Sequence, residues 1–188
     1  MKFCRFVLLL LIFSASLAAV DTNKMEKTLD IKDLSPQLHH YLGIELHIQT
    51  WNLLEKKERN QQDNNRMLAF AKGSNYHWYK SPKWEPINEQ RGFWLIARVY
   101  TVLERKEEAL EFASKCLKIS KEINATGFDL AGSYEVNARA YALNQDKESY
   151  LKYKKLAFEA AKKIEDEADR KYFKEDFYKF PLFDIEEK

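Results

Sequence analysis

The chain has 188 residues, with 31 Lys or Arg, 29 Asp or Glu and 4 His, a formal net charge of +2. So balanced a chain carries no broad basic field to hold nucleic acid. Five Gly and four Pro, against 32% charged and 14% aromatic residues, suit one helical domain packed with large side chains rather than a β-sandwich or a disordered tail.

The N-terminus reads as a secretory signal over residues 1–19. Lys2 and Arg5 precede the apolar run Phe6 to Phe13, and small residues follow at Ser16 and Ala18. The run is short for a membrane span. Cleavage after Ala18 or Ala19 is expected, with an uncleaved anchor as the rival reading. Such an export route points to the periplasm or the exterior, with no membrane association after cleavage. Losing Lys2 and Arg5 takes two of the 31 basic residues and leaves 29 against 29 acidic ones. Cys4 goes too, so Cys116 is the remaining cysteine and no intramolecular disulfide can form. Its neighbours Phe112, Ala113, Leu117 and Ile119 predict a buried, inert thiol.

A polar stretch over 20–34 reads as a flexible leader. Ser35 as cap and Pro36 in the first turn start helix one. Leu38, Tyr41, Leu42, Ile48, Trp51 and Leu54 keep helical spacing to about Lys57. Asn60 to Asn65 reads as a turn, and helix two as Asp63 to Tyr79. Two prolines in the stretch Lys80 to Pro86 break the chain. Helix three is expected over Ile87–Leu103, four over Lys106–Ile123, five over Phe128–Leu143 and six over Lys147–Ile164. Asp166 caps a last helix that Pro181 stops, and residues 184–188 form a tail. No hairpin signal of Asn-Gly or Asp-Gly type occurs.

Helices three to six contain a repeat. "ARVYTVLERKEEA" begins at Ala97 and "ARAYALNQDKESY" at Ala138, 41 residues later. Small residues recur at the same interval: Ala97 with Ala138 in the first helices, Cys116 with Ala157 in the second. Small side chains let helix axes approach, and Tyr100 and Tyr141 fill the space between partners. One such pair cannot bury its apolar face alone, so pairs are expected to stack.

At these residues the chain resembles tetratricopeptide repeats. Ala97, Tyr100, Ala109 and Cys116 match the family's small and aromatic positions. Ala138, Tyr141 and Ala157 match in the second unit, where Tyr150 replaces an alanine. The clearest repeats lie at about 90–123 and 131–164. The period of 41 exceeds the usual one of the family, so longer helices are implied. A degenerate third unit falls in helices one and two, where Met67, Ala71 and Ser74 imitate the second-helix spacing. "SNYHW", "RGFW", "RVYTVL" and "FDLAGSYEVNARA" also resemble motifs of a group of bacterial helical-repeat proteins with no assigned activity. The resemblance implies an all-α stack of six or seven antiparallel helices over 35–183, from a bacterial source.

In tetratricopeptide proteins the first helix of each pair lines a concave groove. Carrying its groove positions over implies Arg91, Trp94 and Arg98 from one repeat, and Gly132, Glu135 and Arg139 from the next. Spacing agrees for the first three, which share one helix face at i, i+3 and i+7. Arginine forks and an indole wall suit a peptide or protein segment, an acidic one in particular. The competing reading pairs Arg98, Glu135 and Arg139 as structural charges between helices, with Trp94 as packing. A further alternative gathers His77, Arg98, Asp129 and Glu135 into a closed small-molecule or catalytic pocket. No cofactor motif is present. His40 and His47 lie about 10 Å apart along a helix axis, too far to share a metal. No residue reads as a catalytic nucleophile, and the expectation is a binding module rather than an enzyme.

Overall fold

The computed structural model describes residues 34–179, 182, 183 and 185. The signal and most of the leader expected over 1–34 lie outside the described residues. Seven helices follow in order: α1 Pro36–Leu54, α2 Gln61–Tyr79, α3 Pro86–Val102, α4 Lys106–Glu122, α5 Gly127–Leu143, α6 Lys147–Ala161 and α7 Glu167–Lys179. No strand occurs among the described residues.

Local chemistry sets the ends. Ser35 accepts a hydrogen bond from the Leu38 amide ahead of Pro36. Helix α2 begins two residues earlier than Asp63 because Asn60 is its cap. The Asn60 side chain accepts from the Asp63 amide, and Asp63 accepts from the Asn60 amide. Helix α6 ends at Ala161 rather than Ile164, and Asp166 accepts from the Asp169 amide at the start of α7.

The repeat has a backbone signature. Glu104 and Gln145, again 41 apart, are left-handed with φ of 56° and 60°. The following amides reach back, Arg105 N to Tyr100 O at 2.9 Å and Asp146 N to Tyr141 O at 3.0 Å. Asn124, with φ 53°, ends α4 in the same way. Each is a Schellman closure that satisfies orphaned helix carbonyls without glycine.

Successive helices pack side by side, α1 on α2, α3 on α4 and α5 on α6, with α3 also against α5. Ala97, Cys116, Ala138 and Ala157 are all fully buried where the axes approach. The Tyr100 ring packs on Phe112 of α4, and Tyr141 stacks on Tyr153 of α6. Tyr150, standing where the repeat has alanine, is itself fully buried. One apolar cluster runs through α1 to α5 and a second through α5 to α7. Helix α5, common to both, buries eleven of its residues. Gly92 lets α3 lie close to the Asn75 side chain of α2, which a Cβ there would run into. No described helix is long and apolar enough to cross a membrane.

Candidate functional site

Helix α7 returns across α3 and α5 and decides the fate of three groove candidates. Arg98, Glu135 and Arg139 are only 1–2% exposed. The Arg98 guanidinium bonds Asp176 of α7 at 2.5 Å and lies 3.5 Å from Glu135. Arg139 donates to the Glu135 carboxylate through Nε. It also donates through Nη2 to the carbonyls of Asp176 and Phe177 at 3.0 and 2.8 Å. Those carbonyls belong to the last turn of α7, where helix carbonyls run short of intrahelical donors. Arg139 is thus a cap supplied by a neighbouring helix. Two guanidiniums face two carboxylates, so the buried cluster is neutral. Burial alone would raise the Glu135 carboxyl, but Arg139 and Arg98 outweigh it and hold it below its ordinary range.

Aromatic rings enclose this cluster. The Arg98 guanidinium carbon lies 5.0 Å from the Trp51 ring centre and 5.1 Å from that of Trp94. Trp94 donates its indole N–H to Glu135 at 3.0 Å, and Trp51 donates to His47 Nε2 at 3.1 Å. An indole N–H can only donate, so His47 is neutral in this arrangement and carries its hydrogen on Nδ1. Burial, then the nearby Arg91, lowers its pKa.

Outward from the cluster lies a half-open cleft of about 290 Å³ lined by His47, Gln90, Arg91, Trp94, Phe128, Asp129 and Gly132. Arg91 and Asp129 form a two-pronged ion pair at its rim, at 2.7 and 2.9 Å, with the Arg91 side chain 55% exposed. Adjoining hollows lead past Trp78 and Asn88 on one side and under Tyr172, Phe173 and Asp176 on the other. Gly132 faces Trp94, whose Nε1 would stand 3.3 Å from an added Cβ.

Of the residues expected at the groove, Arg91 and Trp94 line this cleft, while Arg98, Glu135 and Arg139 are spent on one another and on α7. His77 lies apart from the other candidates. It sits against His39, with the two Nδ1 atoms 2.8 Å apart, and is not in the wall of the cleft. Helix α2 turns its last-turn histidine toward the start of α1, so the set His77, Arg98, Asp129 and Glu135 is not assembled. His47, Gln90 and Phe128 line the cleft without having been expected there, and Trp51 lines the adjoining hollow. The i, i+4 spacing of His47 and Trp51 was the available signal. Cys116 is buried as expected, which pushes its thiol pKa up. Among the described residues no three His, Cys, Asp or Glu side chains gather as a metal site.

Comparison of the chain with protein-family models, with curated proteins and with solved structures finds no match.

Proposed function

We propose that this chain is an exported, tetratricopeptide-like binding module that holds a short peptide or protein segment at the cleft of His47, Arg91, Trp94, Phe128, Asp129 and Gly132. The carrying observation is the division of the α3–α5 face. At its inner end α7 engages Arg98 and Arg139, while its outer end stays accessible between aromatic walls and a polar rim. The stacked helix pairs and the 41-residue recurrence of caps and small residues support the repeat architecture. Export rests on the residue order in 1–19 alone.

An aromatic hollow with a few polar groups at its edge is the usual form of a recognition site. A partner would be anchored by a side chain in the hollow and oriented by Arg91 and Asp129. A carboxylate from the partner would compete with Asp129 for the Arg91 fork. The second reading, a small-molecule pocket, is favoured by one feature: the modest volume, which matches a compact ligand.

The test is peptide selection from a random library against the full chain, followed by affinity measurement with Trp94→Ala and Arg91→Ala. Removal of a central aromatic anchor should weaken selected peptides by about 2 kcal/mol, some thirtyfold. Failure to select any peptide, or peptides that bind both variants as tightly as wild type, overturns the assignment.

A further inference from the structure

Helix α3 borders a second hollow on another of its faces. Glu89 and Ile96 line this one, whereas Gln90, Arg91 and Trp94 line the cleft. It measures about 320 Å³ and is bounded by Tyr76 and Tyr79 of α2, Trp84 of the α2–α3 turn and Phe112 of α4. Rings gathered this closely usually pack inward, yet Tyr76, Tyr79 and Trp84 are 43%, 62% and 37% exposed. A contiguous aromatic patch open to solvent marks a surface that meets something.

The surroundings narrow what fits there. Tyr79 and Trp84 meet edge to face, with ring centres 6.0 Å apart and planes at 77°. Rings at that angle make a corner rather than a flat platform, and a corner takes the edge of a pyrrolidine better than the face of a sugar. The Tyr76 and Tyr79 hydroxyls and the Trp84 indole N–H make no hydrogen bond among the described residues. A polyproline II segment has no internal hydrogen bonds, so its carbonyls are open to such donors, and aromatic-lined grooves recognise it on that basis. The rim adds a charge preference. Lys72, Lys80 and Lys83 form no ion pair among the described residues. The ammonium groups of Lys72 and Lys80 each lie 5.4 Å from a ring centre, those of Tyr100 and Tyr79. Against them stand Glu89 in the wall and Glu85 at the N-terminus of α3, whose partial positive charge Glu85 already meets. That balance favours an acidic partner.

We propose that this hollow is a docking surface for a proline-rich protein segment that carries acidic residues. A proline packs into the corner of Tyr79 and Trp84, and the acidic side chains face Lys72, Lys80 and Lys83. The surface is separate from the cleft of His47 and Arg91, and the inference does not depend on what that cleft binds.

The test is a titration of isotope-labelled full-length protein, read from the indole N–H signals of its four tryptophans. The probes are hexaproline flanked by glutamates, the same peptide with Gly-Ser repeats in place of the prolines, and hexaproline flanked by lysines. The first should shift the Trp84 signal saturably and bind about tenfold more tightly than either of the others. Added salt should weaken it, by screening the lysines. Tyr79→Ala, at a mostly exposed position, should weaken it about tenfold. No saturable shift at Trp84 overturns the proposal, and so does equal affinity for the Gly-Ser or the lysine-flanked peptide. The comparison of probes is made on wild type, so it stands whatever the variant does. Shifts at Trp94 and Trp51 with none at Trp84 would place the peptide in the cleft, which defeats this inference and leaves the proposed function intact. Binding at Trp84 by the acidic proline peptide, with no selected peptide sensitive to Trp94→Ala or Arg91→Ala, would uphold this inference and defeat the other.

Discussion

Replacing Asp176 by asparagine keeps the shape of the side chain and removes its charge. Asp176 reaches Arg98 at 2.5 Å, and the two side chains are 9% and 2% exposed. The change leaves two buried guanidiniums facing Glu135 alone. Breaking one partner out of a buried pair costs about 3–5 kcal/mol. At roughly 2–4 °C per kcal/mol for a domain of this size, the midpoint of thermal unfolding should fall by roughly 6–20 °C. Tryptophan fluorescence is a suitable probe, because Arg98 lies against both Trp51 and Trp94. Amide exchange across α7 would show whether the helix detaches before the rest unfolds. Arg98→Met combined with Asp176→Leu should recover most of the loss, since an apolar pair of similar volume can replace a buried ion pair. If Asp176→Asn lost less than about 1 kcal/mol while α7 kept its protection, the pair would behave like a surface ion pair and the account of a desolvated, interdependent cluster would be wrong.

Other expectations follow from local geometry. Glu104 is exposed and left-handed, so Glu104→Gly should stabilise the chain by about 1 kcal/mol in chemical denaturation, and a loss would refute the strain argument. Gly92→Ala should cost about 1–3 kcal/mol, because Asn75 must move from where the new Cβ would lie. His47, lowered from an ordinary 6.5, takes up its proton more readily in the unfolded chain. Its contribution to stability should therefore be complete above about 6.5 and be lost as pH falls toward the lowered value. His47→Gln should flatten that part of the stability profile, and an unchanged slope would count against it. Glu135 acts at lower pH: its stabilisation is present above the ordinary 4.5 and is lost on further acidification, and Glu135→Gln should remove that limb of the profile.

Helix number and most helix ends were legible in the chain because the signals are local. Ser35 with Pro36, the prolines of the α2–α3 break and apolar residues at helical spacing each act within a turn or two. The 41-residue recurrence identified which small residues lie between axes, and Ala97, Cys116, Ala138 and Ala157 are buried there. Even the start of α2 was encoded locally, in an Asn60–Asp63 box read as part of a turn.

The site was only half legible. Helical spacing put Arg91, Trp94 and Arg98 on one face, but a face does not say what covers it. Arg98 meets Asp176 across 78 residues of sequence, and Arg139 caps a helix that begins 28 residues after it. Such pairings depend on where α7 lands, and nothing within a few residues of either partner announces them. The same holds for His77, whose neighbour His39 lies on another helix. Periodicity and capping write the helices into the chain because they act between near neighbours. Which charges are spent inside the fold, and which groups are left to face a ligand, was decided only when the helices closed on one another.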